Sequence, residues 1–304
     1  MRILLADSLP DLAVDRLRSA GDEVVVDGSL TADDLPGAIA GHEVLVVRST
    51  RVTAETLAAA DRLGLIVRAG AGTNTIDCEA AAARGVFVCN VPGMNSLAVA
   101  ELTLGLLLAV DRRIPDATAD LREGRWEKGR YARADGLFGK TFGIIGLGDI
   151  GLATAARAAA FGMEVIAQDK PDRPSAKRAE AIRAGVTFVP TREALLARSD
   201  VVSLHVPGGP ATERLVDAAF LAMMKDRAIL LNTSRGEVID EDALLAAMDA
   251  RGIRAGLDVF ADEPGGSSAP FESRLARHPS VVATHHIGAS TEQAQLATAD
   301  GAVD

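Results

Sequence analysis

Short apolar runs recur along the chain, and each is followed by a stretch whose apolar positions return every three or four residues. Brief apolar runs bounded by turn residues predict buried strands, the stretches between them predict helices, and the alternation predicts βαβ units around parallel sheets. A first series places strands at 3–6, 23–26, 44–48, 65–68 and 86–90, with helices near 10–20, 53–60 and 77–84. That spacing predicts a five-stranded doubly wound sheet. A second series runs through 141–145, 164–167, 187–189, 201–205, 228–232 and 254–258 to 281–284, a six- or seven-stranded nucleotide-binding pattern. Between them, Asn95 or Ser96 can cap a Leu- and Ala-rich helix over 95–113 that bridges two domains. A last helical stretch at 292–299 is expected to return to the first domain, and the run GGSS at 265–268 reads as a flexible loop.

The 304 residues suffice for two domains or one large α/β unit. Hydrophobic residues are 48% of the chain and aromatics 3%, so the interior is built from Ala, Val, Leu and Ile, a mix suited to helices packed on buried strands. With 32 Lys and Arg against 42 Asp and Glu, the net charge is −10, which argues against broad electrostatic affinity for nucleic acid or anionic membrane. A bound anion must therefore meet a local basic site. Cys78 and Cys89 are the only cysteines and lack CxxC spacing, which excludes a disulfide scaffold or Cys-rich zinc site and predicts a reduced, cytosolic setting. The N-terminal MRILLAD meets Asp7 after four apolar residues, too few for a signal peptide. The longest uncharged stretch, 85–100, holds Asn90, Pro92, Gly93, Asn95 and Ser96 and cannot span a bilayer. No targeting or membrane segment is expected.

Gly146, Gly148 and Gly151 form GLGDIG, together with Asp149 and Ile150, directly after the apolar run FGII and before an Ala-rich helix. This is the context a GxGxxG motif requires: the first glycine makes the tight turn, the second lets backbone approach a pyrophosphate, and the third permits close helix packing. Phosphate charge then meets a helix N-terminus. The next strand ends in Asp169, 18 residues after Gly151, near the interval expected for a carboxylate that binds ribose hydroxyls and favours NAD over NADP. Lys170 immediately follows that acid.

Six segments resemble the D-isomer-specific 2-hydroxyacid dehydrogenases, and among them the 3-phosphoglycerate dehydrogenase branch. They are VRSTRVT from Val47, RAGAGTNTID from Arg68, GLGDIG from Gly146, NTSRGEVIDEDAL from Asn232, GLDVFADEP from Gly256 and HHIGAST from His285. The likeness is ordered along residues 3–295. It implies an α/β architecture in which a Rossmann-type doubly wound parallel sheet, the NAD-binding domain at 92–284, is inserted into a smaller flavodoxin-like α/β substrate domain formed by 1–91 and 285–304. It also implies NAD as cofactor, a homodimer joined through the cofactor domains, and oxidation of 3-phospho-D-glycerate to 3-phosphooxypyruvate. Glyoxylate or hydroxypyruvate reduction, or action on a phosphonate, fits the same scaffold. An alternative of another class is an NAD-sensing interaction protein like the superfamily's transcriptional corepressors.

The family's catalytic arginine falls on Arg235, its acid on Glu263 and its histidine on His286. Oxidising a 2-hydroxy acid removes the hydroxyl proton while hydride leaves C2, so a base with pKa near neutral is needed, and His286 is the candidate. A carboxylate on its other ring nitrogen fixes the tautomer and stabilises the imidazolium, the task expected of Glu263. A guanidinium holds the substrate carboxylate by two parallel hydrogen bonds, which suits Arg235 better than a lysine. All three are expected at the carboxyl edge of the second sheet, where ligands of doubly wound folds bind.

To the cofactor positions the resemblance adds Val206, Thr233, Asp258 and Gly288, and on the substrate side Gly72 and Asn95. Asn95, Ser96 and Glu101 match the family's NSxxxAE. Arg48, Ser49 and Arg51 near one strand end, with Arg68 behind the next, are candidates for a substrate phosphate or else a solvated strand end. Trp126 with Lys128 and Arg130 resembles a segment that reaches the partner subunit's active site. No metal site is expected, because the adjacent His285 and His286 point apart in extended chain and lack a third ligand.

Three departures from the family pattern stand out. Asp149 puts an extra carboxylate beside the expected pyrophosphate. Ala71 removes a hydroxyl common in relatives, and His285 replaces the usual proline before the catalytic histidine, leaving φ less restrained there.

Overall fold

A computed structural model describes residues 1–264 and 268–304. Gly265, Gly266 and Ser267, most of the expected GGSS loop, lie outside the described residues. The chain divides into two compact units, one of Met1–Asn95 with Ala289–Asp304, the other of the described residues between Ser96 and Gly288.

The first unit carries β1 (Arg2–Leu5), α1 (Asp11–Ser19), β2 (Glu23–Val26), α2 (Leu35–Ala38), β3 (Val44–Val47), α3 (Ala54–Ala59), β4 (Leu65–Arg68), α4 (Cys78–Ala83) and β5 (Phe87–Asn90). Its five strands are parallel in the order β2-β1-β3-β4-β5, the flavodoxin-like arrangement. The run VLVV makes β3 buried along its whole length, as a central parallel strand covered on both faces requires. Thr53 and Asp77 accept hydrogen bonds from the amides of Thr56 and Ala80 and so start α3 and α4, each cap contributing about 1 kcal/mol.

The second unit begins with α5 (Ser96–Arg112) and α6 (Ile114–Arg122). It continues through β6 (Thr141–Ile145), α7 (Asp149–Ala160), β7 (Glu164–Gln168), α8 (Ser175–Arg183), β8 (Val186–Val189), α9 (Arg192–Arg198) and β9 (Val201–Leu204). It closes with α10 (Ala218–Met223), β10 (Ile229–Asn232), α11 (Glu241–Arg251), β11 (Arg254–Leu257) and β12 (Val281–Ala283). The last helix, α12 (Glu292–Val303), belongs to the first unit, where Arg16 of α1 pairs with its Asp300 at 3.2 Å. The seven strands are parallel in the order β12-β11-β10-β9-β6-β7-β8, which is the Rossmann order with one strand added. Alternate residues of β10 serve opposite faces: Ile229 and Leu231 join Leu107 and Phe142, and Leu230 joins Phe220 and Leu244.

Four differences from the expected elements have local causes. The helix expected over 95–113 stops at Arg112 because Arg113 turns left-handed at φ +52° and Pro115 then opens α6 as a separate helix. The short α2, LPGA, is too brief and too rich in Pro and Gly to leave a periodic signal. Arg48, His205 and Asp258, expected to end strands, are the first residues beyond β3, β9 and β11. The unit boundaries fall at 95/96 and 288/289 rather than at 91/92 and 284/285, because α5 starts only at Ser96 and the amides of His286, Ile287 and Gly288 are all bound to Asp258 of the second unit.

Candidate active site

In the second sheet the chain reverses its winding between β6 and β9, and there the ends of the strands form a crevice-making switch point. The loop after β6 is GLGDIG, and its three glycines meet three different surroundings. Gly146 stands at φ +99°, and a Cβ on it would lie 2.1 Å from the His205 carbonyl oxygen and 3.2 Å from Val206 Cγ1. A Cβ on Gly151 would lie 2.1 Å from the Gly146 carbonyl oxygen. A Cβ on Gly148 would meet nothing within 4 Å, so this glycine faces open space at the N-cap of α7. A tight turn, a close helix approach and an uncovered backbone at a helix N-terminus are the three features a pyrophosphate cradle needs. The residues thus fit a dinucleotide. Asp149 and Ile150 open α7, and the exposed Asp149 carboxylate lies 3.5 Å from Lys177 of α8, which offsets its charge beside the cradle. Asp169 is the first residue after β7, with its amide on the Val189 carbonyl and its Oδ1 2.5 Å from Arg178 Nη1.

Three further strand ends bring together the remaining second-unit candidates. At the end of β10, the buried Asn232 side chain accepts hydrogen bonds from the Ser234 amide and hydroxyl and donates to the Arg235 carbonyl, which fixes the turn that presents Arg235. Thr233 is buried with its hydroxyl 2.9 Å from that of Thr103 in α5. Gly236 packs directly on the Phe260–Ala261 peptide, where a Cβ would sit 1.9 Å from the Phe260 carbonyl carbon. That contact presses the Arg235 turn against the segment carrying Glu263. Glu263 accepts from the Phe260 amide at 2.8 Å through Oε1 and meets His286 Nδ1 at 2.6 Å through Oε2. Burial pushes the Glu263 carboxyl up, but the His286 hydrogen bond, the Phe260 amide and the charges of His286 and Arg235 bring it below the usual carboxylate range.

The His286 backbone is left-handed at φ +53°, a conformation that a non-glycine residue adopts at a cost of roughly 1–2 kcal/mol. Asp258 holds it there. The His286 amide donates to the Asp258 carbonyl at 2.7 Å, Thr284 and the Ile287 amide donate to Oδ1, and the Gly288 amide donates to Oδ2 at 2.8 Å. Asp258 and Gly288, expected among the cofactor contacts, here build the loop that aims the imidazole. The exposed His285 precedes this loop, whose backbone Asp258 restrains where a proline is missing. Sequence reasoning did not give Asn232 or Asp258 these tasks; both lie inside the motifs NTSRG and GLDVF, but their partners become visible only once the strand ends meet.

In the first unit, the corresponding switch point lies between β1 and β3. Asp7, the second residue past β1, places Oδ2 within hydrogen-bond reach of the amides of Arg48 (2.7 Å), Ser49 (3.1 Å) and Thr50 (3.1 Å). The amides that follow β3 are therefore already engaged by the chain's own carboxylate. Arg68 donates from Nε to the Arg48 carbonyl at 3.2 Å and curls under Gly70. Among the described residues no carboxylate lies within 4.0 Å of the Arg48 or Arg51 guanidinium. Ala71 and Gly72 follow in the loop after β4, where the Ala71 carbonyl accepts from Asn90. Asn95, with a buried Oδ1, ends this stretch. Ser96 is buried at the start of α5, and Glu101 pairs with Arg157 of α7 at 3.2 Å.

Trp126 is 78% exposed. The segment that carries it closes on the buried Asp120, which accepts from Arg125, from Arg130 at 3.0 Å and from the Tyr131 hydroxyl at 2.5 Å. Lys128 opens the short 3-10 turn within it. Among the described residues no group of three or more His, Cys, Asp or Glu could hold a metal, and no helix is long and apolar enough to cross a membrane.

The sequence model of the D-isomer specific 2-hydroxyacid dehydrogenases, NAD binding domain, matches residues 104–288. A D-3-phosphoglycerate dehydrogenase of Methanocaldococcus jannaschii is 42% identical over 299 residues, covering 98% of this chain and 55% of that protein. The chain thus spans about half the length of the curated relatives it matches. A solved protein of Thermus thermophilus is 37% identical with a TM-score of 0.86, covering 100% of this chain and 94% of its own. An NADPH-dependent glyoxylate/hydroxypyruvate reductase of Sinorhizobium meliloti, solved with NADP and malonate, is 30% identical with a TM-score of 0.80, covering 100% and 91%.

Proposed function

This chain belongs to the D-isomer-specific 2-hydroxyacid dehydrogenases, and we propose that it oxidises 3-phospho-D-glycerate to 3-phosphooxypyruvate with NAD. In this reading the second unit is the NAD-binding domain and the first the substrate-binding domain. The observation that carries it is the meeting of Arg235, Glu263 and His286 at neighbouring strand ends of one sheet, beside a glycine cradle shaped for a dinucleotide.

When bound, the nicotinamide supplies a hydride acceptor for C2 of the substrate. The rest falls to the chain. Glu263 on Nδ1 fixes the neutral imidazole with Nε2 as the basic nitrogen, so Nε2 takes the hydroxyl proton as the carbonyl forms. The Glu263 carboxylate then stabilises the imidazolium, which a group held below the usual carboxylate range does without taking up the proton itself. Arg235 holds the substrate carboxylate and polarises the developing carbonyl oxygen, with its turn fixed by Asn232 and Gly236. Gly146, Gly148, Ile150 and Gly151 cradle the pyrophosphate, and Asp169 takes the adenosine ribose. Arg48 and Arg51 offer the charge for a substrate phosphate.

Two copies joining through the second unit complete the proposal. Trp126 and Phe138 are 78% and 89% exposed there, and burying such rings against a partner is favourable. Both cysteines are free, in keeping with a cytoplasmic enzyme.

One observation favours a smaller substrate, glyoxylate or hydroxypyruvate: Asp7 already engages the amides after β3 and adds negative charge where a phosphate is expected. The two readings separate in one assay. With NAD and 3-phosphoglycerate at alkaline pH, reduced-nicotinamide absorbance develops, and Arg51→Ala raises KM for 3-phosphoglycerate more than for glycerate. Equal effects on the two substrates remove the phosphate argument. Absence of turnover with every small 2-hydroxy or 2-oxo acid, while NAD still binds, replaces catalysis by nucleotide sensing.

A further inference from the structure

We propose that Asp7 is a positioning residue for the substrate's distal anion: its carboxylate fixes the backbone segment from which Arg48 and Arg51 reach a phosphate, a role that rests on the 3-phosphoglycerate reading above. Oδ2 of Asp7 lies 2.7 Å from the Arg48 amide and 3.1 Å from the amides of Ser49 and Thr50. Consecutive amides that converge on one oxygen form a nest, the concavity by which backbone ordinarily holds a free anion. This nest stands at the switch point between β1 and β3, where doubly wound sheets hold their ligands. Here the anion in it belongs to the chain itself, so a substrate anion is left to the side chains.

The rest of the segment is tied at both ends. The Arg48 carbonyl accepts from Arg68 Nε at 3.2 Å, and the Thr50 hydroxyl donates to the Ala6 carbonyl at 3.3 Å. The buried Val52 donates its amide to the Thr75 carbonyl at 2.8 Å and accepts from the Asp77 amide at 2.9 Å. The exposed Arg51 therefore projects from between two fixed residues, Thr50 and Val52. Asp7 supplies more of these ties than any other side chain, and each is a hydrogen bond to a charged acceptor, the stronger kind.

The carboxylates around the segment are turned away from its arginines. Asp27 accepts from the Ser29 hydroxyl at 2.6 Å, Asp34 from the Thr31 hydroxyl at 2.6 Å and Asp77 from the Ala80 amide at 2.9 Å. Asp7 itself lies beyond 4.0 Å of any guanidinium nitrogen among the described residues, so it acts on Arg48 and Arg51 through their backbone and not by pairing with them. A segment ordered before the substrate arrives has less freedom to lose on binding.

Position and charge then predict opposite outcomes. An Asp7 that mattered only as a nearby negative charge would, on removal, strengthen the hold on an anionic substrate. An Asp7 that holds the backbone weakens that hold on removal, although the surroundings become more positive.

The test is steady-state kinetics of Asp7→Asn at saturating NAD, with 3-phosphoglycerate and with glycerate. KM for 3-phosphoglycerate is expected to rise about tenfold, with kcat and KM for glycerate each within about threefold of wild type. In an Arg51→Ala background the same substitution should raise KM by less than about threefold, because the group it positions is gone. Hydrogen exchange of the wild-type protein needs no variant: the amides of residues 48–50 should be protected without substrate as well as with it. An unchanged or lower KM for 3-phosphoglycerate overturns the inference, and so does an equal rise for both substrates or full additivity with Arg51→Ala. Amides protected only once 3-phosphoglycerate is added overturn it equally. Wild-type protein that turns over other 2-hydroxy acids but not 3-phosphoglycerate overturns the substrate reading, and this role of Asp7 with it.

Discussion

His286 turns Nδ1 onto Oε2 of Glu263 at 2.6 Å while its backbone is kept left-handed at φ +53°. The two facts belong together. The strained backbone sets the direction of the ring, and the carboxylate sets which nitrogen is left to act on a substrate. Both depend on Asp258, whose carbonyl and carboxylate bind three consecutive amides of the histidine loop.

Glu263→Gln keeps the size of the side chain and its contact with the Phe260 amide but removes the charge that favours an imidazolium. kcat is expected to fall by about 100-fold or more with NAD affinity unchanged. Steady-state kinetics beside calorimetry checks this, and a variant within about threefold of wild type in kcat would falsify the assigned role.

Asp258→Asn places an amide N–H₂ where only acceptors fit, because both oxygens already receive donors from the loop. The variant should be destabilised by about 2 kcal/mol, and His286, released from its fixed loop, should lose activity beyond what the lower Tm explains. Chemical denaturation and kcat at a temperature where both proteins are folded separate the two effects. Unchanged stability means that the loop is held by something other than Asp258.

The cradle predicts opposite behaviour for two of its glycines. Gly148→Ala meets nothing within 4 Å, so the protein should fold with wild-type stability while NAD affinity falls by about tenfold or more through obstruction of the pyrophosphate. Gly146→Ala must push against the His205 carbonyl from a left-handed backbone, so its Tm should fall by several degrees before any ligand is added. A Gly148→Ala protein that binds NAD normally shows that the open space serves another purpose.

His205, the first residue past β9, places Nε2 2.9 Å from the Ser203 hydroxyl, and burial pushes its pKa down to about 4. The unfolded chain takes up its proton near pH 6.5 and the folded chain only near 4. The unfolded state thus binds more protons across that window, and stability falls as pH drops from about 6.5 to 4. The full penalty is about 3 kcal/mol. His205→Gln should flatten the dependence of Tm on pH in this window. An identical slope in the variant assigns the acid sensitivity to other groups.

Much of this arrangement can be read before any coordinates are seen, where chemistry and local order coincide. The run FGII, the three glycines and the Ala-rich helix sit next to one another in the chain, so the turn, the open backbone and the close packing are local demands with local signals. Arg235, Glu263 and His286 lie in separate segments, and their placement came from resemblance; the 2.6 Å contact between Glu263 and His286 exists only because β11 and β12 pair in the sheet.

What stayed hidden is long-range polar pairing. Asp7 looks like an ordinary strand end until β1 and β3 become neighbours, and then its carboxylate engages the amides of a loop expected to serve a phosphate. Asp149 looks costly beside a pyrophosphate as long as its partner Lys177, on the far side of β7 in the chain, is out of view. The break between α5 and α6 hinges on one left-handed residue, Arg113, whose side chain gives no hint of it.

In the proposed reaction the hydroxyl proton passes to His286, and His286→Ala tests that most directly. Reduced-nicotinamide formation and NAD affinity should be measured on the same preparation. Turnover should fall by about 1,000-fold or more with NAD affinity within about threefold of wild type. Retention of wild-type kcat with NAD still bound contradicts the assignment of the base.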